Sequence, residues 1–291
     1  MPTIELAKTA GFCFGVQRAV DTVYTVLEQE QKKPTEEQRS IYTYGPIVHN
    51  ESVVGNLQKL GVRVLETEED LRKLTGGIVV IRAHGVPASI YTLLQEKGVE
   101  IVDASCPFVQ KIQRLVHDHT SKGEKTFVVG NPEHPEIIGI MGWADGDVSA
   151  IPNIDAANAL PDGNGTPVIV VAQTTYNIDK FKVIVDILGQ RGYYVNAINT
   201  ICNATFERQT EAKALAKRSD AMIVVGGSNS SNTKKLFEIC REQCPNTQLI
   251  QTVKDLDFNK DEAVQNVGIT AGASTPKEII EEVLTYVRNE F

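Results

Sequence analysis

A chain of 291 residues has room for two or three domains. Its 42% hydrophobic and 23% charged residues exclude the low-hydrophobicity, high-charge signature of disorder. A net charge of −8 with no densely basic stretch argues against nucleic acid as a partner, and apolar runs such as Val168–Ala172 fall far short of the roughly 18 to 20 residues that cross a membrane.

The opening Met1-Pro2-Thr3-Ile4-Glu5 lacks a basic stretch followed by an apolar one, so a cytoplasmic address is expected. Short β-branched runs then alternate with longer patterns near the 3.6-residue period, the mark of parallel α/β architecture. About twelve strands are expected on this reading. They include Ile4–Lys8, Ile78–Arg82, Ile101–Asp103, Phe127–Val129, Val168–Ala172, Tyr194–Ile198, Met222–Val225 and Val267–Thr270. Helices are expected over Val16–Gln29, Val109–Ser121, Ile178–Gln190, Thr205–Arg218 and Pro276–Arg288. The Gln/Lys/Glu-rich stretch Glu28–Arg39, with Pro34, reads as an exposed connection.

Three cysteines, Cys13, Cys106 and Cys202, lie 93 and 96 residues apart. A period is convincing when several features obey it, and two further polar loops do. His49-Asn50, His134 and Ser230-Ser231-Asn232 follow their cysteines by 36, 28 and 28 residues; His84, Thr174 and Ser274 follow by 71, 68 and 72. The chain therefore reads as three similar α/β units with mainly parallel sheets around a pseudo-threefold axis. Their spans are near 1–98 (Cys13), 99–191 (Cys106) and 192–291 (Cys202). Loops after parallel strands gather ligands at the carboxyl edge of a sheet, so a central cavity is expected.

Each of these cysteines sits between a strand and a helix, where the helix N-terminus favours an anionic ligand. Three thiolates suit soft iron or zinc. Structural zinc takes four protein ligands and an iron–sulfur cube usually takes four thiolates, so three would leave one iron open to substrate. Cys240 and Cys244, four apart on a helix and outside the repeated position, read as core packing rather than a metal pair. His117 and His119 read as solvent-exposed.

His49, His84 and His134 read as a binding set because each opens a loop at the same sheet edge. Ser230-Ser231-Asn232-Thr233, and Ser274 before a helix, offer hydroxyls, an amide and backbone N–H groups to an anion. N-capping accounts for one such residue per loop and not for all four. Gly226-Gly227 comes without a phosphate-loop lysine or a dinucleotide fingerprint. In Asn131-Pro132-Glu133-His134-Pro135-Glu136 two carboxylates flank a histidine, and repulsion from a thiolate-ligated cluster would keep one protonated as an acid. Spacing does not choose between Glu133 and Glu136.

These residues resemble the 4-hydroxy-3-methylbut-2-enyl diphosphate reductase (IspH/LytB) family, terminal iron–sulfur enzymes of the non-mevalonate isoprenoid pathway. The resemblance covers essentially the whole chain. It rests on Gly11-Phe12-Cys13-Phe14-Gly15-Val16, His49-Asn50, Arg82-Ala83-His84-Gly85-Val86, Cys106-Pro107, His134-Pro135-Glu136, Gln173-Thr174-Thr175, Thr200-Ile201-Cys202, Asn229-Ser230-Ser231-Asn232 and Ala271-Gly272-Ala273-Ser274. Ser105 stands where the family also carries threonine.

The resemblance implies that Cys13, Cys106 and Cys202 hold a 4Fe-4S cluster with one iron not bound by cysteine. It further implies that His49, His84, Ser230, Ser231, Asn232 and Ser274 bind a diphosphate, that His134 and Thr174 position substrate, and that Glu136 delivers protons with Thr174. The implied reaction is reductive dehydroxylation of an allylic diphosphate to isopentenyl and dimethylallyl diphosphate, with electrons from a small ferredoxin- or flavodoxin-type protein. A non-catalytic iron–sulfur sensor and a zinc enzyme with a three-cysteine site are the competing classes.

Overall fold

Strands buried on both faces read as unbroken apolar runs, because helices cover both sides of a parallel sheet. A computed structural model describes residues 2–257 and 264–290, which form twelve strands and eleven α-helices; the strands Ile78–Ile81 and Ala221–Val225 follow this rule, buried along their whole length. All of the strand pairings are parallel. None of the described helices is long and apolar enough to cross a membrane.

The chain divides into two compact units. The first comprises Met1–Gln17, His49–Val54 and Asn203–Phe291. Its sheet has the order β1-β12-β10-β11, formed by β1 (Thr3–Leu6), β12 (Asn266–Ala271), β10 (Ala221–Val225) and β11 (Thr247–Ile250). Thr3 pairs with Asn266 and Ala221 with Val267. Side chains alternate along β10. Met222 and Val224 meet Leu215 of α9 (Asn203–Ala216) and Leu236 of α10 (Ser231–Gln243), while Ile223 and Val225 share a second core with Ile280, Val283 and Val287 of α11 (Lys277–Glu290).

The second unit comprises Arg18–Val48 and Gly55–Cys202 and carries two sheets. One has the order β3-β2-β4-β5, from β2 (Ile41–Tyr44), β3 (Arg63–Leu65), β4 (Ile78–Ile81) and β5 (Glu100–Asp103). The other has the order β7-β6-β8-β9, from β6 (Lys125–Val129), β7 (Val148–Ile151), β8 (Pro167–Ala172) and β9 (Tyr194–Ala197). Val79 and Ile81 of β4 pack with Val86, Ile90 and Leu94, the last two from α4 (Ala88–Glu96). Phe127 and Val170 pack with Ile184 and Leu188 of α8 (Ile178–Gln190). Val128 and Val171, on the opposite face, pack with Val109 and Ile112 of α5 (Pro107–Thr120) and Ile137 of α6 (Pro135–Met141). The remaining helices are α1 (Phe14–Gln31), α2 (Glu51–Lys59), α3 (Glu68–Arg72) and α7 (Ile154–Asn158).

All three sheets thus repeat one strand order, as the even cysteine spacing leads one to expect. Hydrogen bonding, however, puts the sheet boundaries elsewhere than 98/99 and 191/192. The strand leading into each cysteine closes a sheet begun by other segments: β5 pairs with β4, β9 with β8, and β1 with β12. A period counted from the cysteines locates the loops and is blind to which edge the preceding strand joins.

Glu28–Arg39 is largely exposed, as expected, with one departure. α1 runs on to Gln31, and Glu30 is buried, holding Lys33 at 2.7 Å and Arg39 at 2.8 Å. These two cations hold the Glu30 carboxyl well below its ordinary range, at about 2, chiefly through the Arg39 hydrogen bond.

Candidate active site

Every expected cysteine ligand is the residue immediately before a helix: Cys13 before α1, Cys106 before α5 and Cys202 before α9. Pro107 opens α5 at a position where a missing N–H costs nothing. Each cysteine amide is tied to a polar loop that ends another strand. The Cys13 amide donates to the Ala273 carbonyl at 3.3 Å, that of Cys106 to Ala83 at 2.9 Å, and that of Cys202 to Thr174 at 3.1 Å. One recurring hydrogen bond therefore joins each cysteine loop to the loop carrying Ser274, His84 or Thr174.

The five cysteines fall into two kinds. Cys13, Cys106 and Cys202 are half-buried thiols at helix starts, a donor set whose softness fits iron–sulfur ligation. Cys240 and Cys244 are buried in the apolar core with Ala212, Leu215 and Leu236. Burial, reinforced by Cys244, pushes the Cys240 thiol up to about 12, the behaviour of inert packing.

The twelve expected site residues divide equally between the two units. In the second unit lie His84, Cys106, His134, Glu136, Thr174 and Cys202. The His84 and His134 rings meet edge to face with centroids 5.6 Å apart. His134 caps α6: its Nδ1 accepts from the Glu136 amide at 3.1 Å, which leaves Nε2 as the donor of a neutral ring. Glu136 is 2% exposed. Its carboxylate accepts from the Thr174 amide at 2.7 Å and from the Thr174 hydroxyl at 2.9 Å. Burial nevertheless raises Glu136 to about 7, against the lowering effect of these two bonds. Desolvation, rather than the charge repulsion expected from the neighbouring thiolates, is the cause. Glu133, by contrast, is exposed.

Glycine lets two helices approach the His84 loop. A Cβ on Gly85 (φ +69°) would stand 2.6 Å from Gln113 Nε2 of α5, and one on Gly139 of α6 would stand 3.2 Å from the Gly85 carbonyl carbon. Trp143 Nε1 donates to the Val86 carbonyl at 2.9 Å and fixes the far side of the loop.

In the first unit lie Cys13, His49, Ser230, Ser231, Asn232 and Ser274. The Ser274 hydroxyl donates to the His49 carbonyl at 3.1 Å, and a Cβ on Gly227 would come within 3.0 Å of that same oxygen. Ser230 caps α10, accepting from the Thr233 amide at 3.3 Å. Capping thus accounts for Ser230. It does not account for Asn232, which is 4% exposed with an Nδ2 that makes no hydrogen bond. A buried donor left over beside a helix N-terminus fits an anionic ligand.

Some supporting residues gave no sequence signal. Arg208 of α9 is buried and donates to the carbonyls of Thr9 and, at 3.2 Å, Ala271. Glu211 on the same helix accepts from the amides of Lys8 and Thr9, both at 2.8 Å. Together they fix the chain just ahead of Cys13. Two charges three apart on a helix normally mark a solvated face, and only the unusual burial of Arg208 distinguishes them. His117 is exposed as expected, whereas His119 is half-buried against Glu124 at 2.5 Å.

Residues 4–288 match the family model described as LytB protein. A 4-hydroxy-3-methylbut-2-enyl diphosphate reductase of Alkaliphilus oremlandii is 41% identical over 287 residues, covering 98% of this chain and 99% of its own. The protein of that name in Geobacter sulfurreducens is 43% identical over 285 residues, covering 98% and 96%. The solved E-1-hydroxy-2-methyl-but-2-enyl-4-diphosphate reductase of Plasmodium falciparum is similar with a TM-score of 0.89 at 30% identity, over 99% of this chain and 87% of that one. A second solved reductase, described as the terminal enzyme of the non-mevalonate pathway, gives 0.67 at 38% identity over 99% and 100%.

Proposed function

The chain belongs to the LytB family of 4-hydroxy-3-methylbut-2-enyl diphosphate reductases, and from that premise we propose that Cys13, Cys106 and Cys202 hold a 4Fe-4S cluster in which one iron has no cysteine ligand. The activity that goes with membership is the terminal reduction of the non-mevalonate pathway. Two electrons and two protons replace the allylic C–O bond of the diphosphate substrate by C–H and release water, giving isopentenyl and dimethylallyl diphosphate. An iron–sulfur cluster is the family's cofactor. When bound it supplies the electrons and a Lewis-acidic iron for the substrate hydroxyl.

The remaining chemistry belongs to side chains. His49, His84, Ser230, Ser231, Asn232 and Ser274 bind the diphosphate, the serines and Asn232 through neutral donors at helix starts. His134, with Nδ1 occupied by the Glu136 amide, turns its Nε2 donor to substrate. Thr174 orients the hydroxyl that leaves. Glu136 supplies the proton that makes water the leaving group. Among these roles the last is carried by a single observation: a fully buried carboxyl raised to about 7, hence protonated in a large share of molecules at neutral pH.

The electron donor on this reading is a small ferredoxin- or flavodoxin-type protein. The compartment is the cytoplasm, in keeping with five cysteines present as thiols. Relatives named as reductases leave the sensor and the zinc enzyme without support. The test is iron and acid-labile sulfide analysis after oxygen-free purification, followed by turnover of the allylic diphosphate with a supplied reductant. Zinc without sulfide overturns the reading.

A further inference from the structure

The turn that delivers Cys106 is braced more heavily than a loop of its length requires. Asp103 ends β5, and its Oδ1 accepts from the Ser105 amide at 2.8 Å and the Ser105 hydroxyl at 2.5 Å. Its Oδ2 accepts from the Tyr91 hydroxyl at 2.9 Å and from Gln110 Nε2 at 3.1 Å, and that same Nε2 donates to Ser105 Oγ at 3.0 Å. From the other side Arg18 donates to the Ser105 carbonyl at 2.8 Å and to the Asp103 carbonyl at 3.4 Å. Ser105 is fully buried. Both side-chain oxygens of Asp103 and both main-chain carbonyls are thus engaged within three residues of the thiol.

The same local device recurs at a second cysteine. Asn199 Oδ1 accepts from the Ile201 amide at 3.1 Å, as Asp103 Oδ1 accepts from Ser105. In each case a short side chain bonds the amide two residues on, an Asx turn, and the cysteine comes next. Ahead of Cys13 the turn is made instead by Gly11, at φ +103°, a conformation that glycine adopts without strain. One geometric task is solved twice by an Asx side chain and once by a left-handed glycine.

We infer that Asp103 is a positioning residue for Cys106, acting through Ser105 to aim the thiol before a cluster arrives. The inference rests on the reading of Cys106 as a cluster ligand. A preset ligand loses less conformational freedom on binding, and groups that orient a metal ligand without touching the metal typically affect affinity 10- to 100-fold. Asn199 further indicates that the acceptor, not the negative charge, does the aiming.

The test uses holoenzyme purified without oxygen and follows iron release to a ferrous chelator beside thermal melting of the same samples. Asp103→Ala is expected to release iron on the order of 10-fold faster or more, with Asp103→Asn close to the unaltered chain. Ser105→Ala, which keeps the amide and loses the hydroxyl, is the milder variant, expected to release about fivefold faster. It carries the test if Asp103→Ala does not fold. A role in folding alone would lower the melting midpoint and leave release from folded holoenzyme unaltered. Release at the unaltered rate from every variant that folds, while Cys106→Ser lacks a full cluster, overturns the inference only. A full complement of iron and sulfide in Cys106→Ser overturns the reading beneath it.

Discussion

Thr174 donates twice to Glu136, from its amide at 2.7 Å and its hydroxyl at 2.9 Å, and yet the buried carboxyl stays near 7. Both bonds favour the charged form, so burial outweighs them. Glu136→Gln keeps the shape and removes the proton. Turnover is expected to fall on the order of 10²- to 10⁴-fold with the cluster's absorbance retained, as steady-state assays beside a visible spectrum would read.

The same residue makes stability depend on pH. The folded chain holds a proton at about 7 that the unfolded chain releases near 4.5. This contribution is complete below about 4.5 and is lost as pH rises through about 7, about 3 kcal/mol in all. Urea unfolding at pH 5 and pH 8 should therefore show Glu136→Gln gaining on the unaltered chain at the higher pH. Parallel curves for the two proteins would count against a raised Glu136.

Thr174→Val isolates the hydroxyl, since the amide bond remains. A donor that favours the carboxylate is lost, so the carboxyl should rise further and the alkaline limb of the pH–rate profile should move up by about one pH unit. Turnover should fall at the same time if, as proposed, Thr174 orients the leaving hydroxyl. A lower rate with an unmoved limb would leave Thr174 with a role towards substrate alone.

Ser230 and Asn232 separate capping from ligand binding. Ser230→Ala loses the cap of α10 and should cost about 1 kcal/mol of stability. Asn232 Nδ2 makes no hydrogen bond in the chain by itself, so Asn232→Ala should cost less than that while raising KM for the diphosphate. Chemical denaturation and steady-state kinetics on both variants check the contrast.

Cys240→Ala is expected to leave iron content unchanged and to lower stability by about 1 kcal/mol, since the thiol is buried among Ala212, Leu215 and Leu236. Cys13→Ser, Cys106→Ser and Cys202→Ser should each lose iron. Iron analysis and melting of the four variants read both effects.

How far the sequence carried this picture depends on what each residue type can signal. Ile178–Gln190 coincides with α8, and the runs Val168–Ala172 and Met222–Val225 lie within β8 and β10, because apolar periodicity reports burial directly. Each cysteine loop was legible from its place between a strand and a helix. Asp103, Arg18 and Arg208 were not. Their roles lie in hydrogen bonds to main-chain carbonyls, or to neighbours such as Tyr91 that only tertiary structure brings near. The membership of β5 and β9 was hidden for a similar reason, since a strand's composition does not say which neighbour it will pair with. Glu30 shows the opposite failure: a charged stretch looked solvated, although Lys33 and Arg39 together bury one of its carboxylates.

β1 leaves the ribosome long before β12, its sheet partner among the described residues, with Thr3 opposite Asn266. The amide of Cys13 likewise waits for the Ala273 carbonyl. A nascent chain can complete both sheets of its middle portion while its N-terminal strand remains unsatisfied, and contacts so distant along a polypeptide form late. A cluster held as proposed through Cys13 accordingly loads only once β12 has emerged, and the newborn chain must keep β1 from pairing with strangers until then.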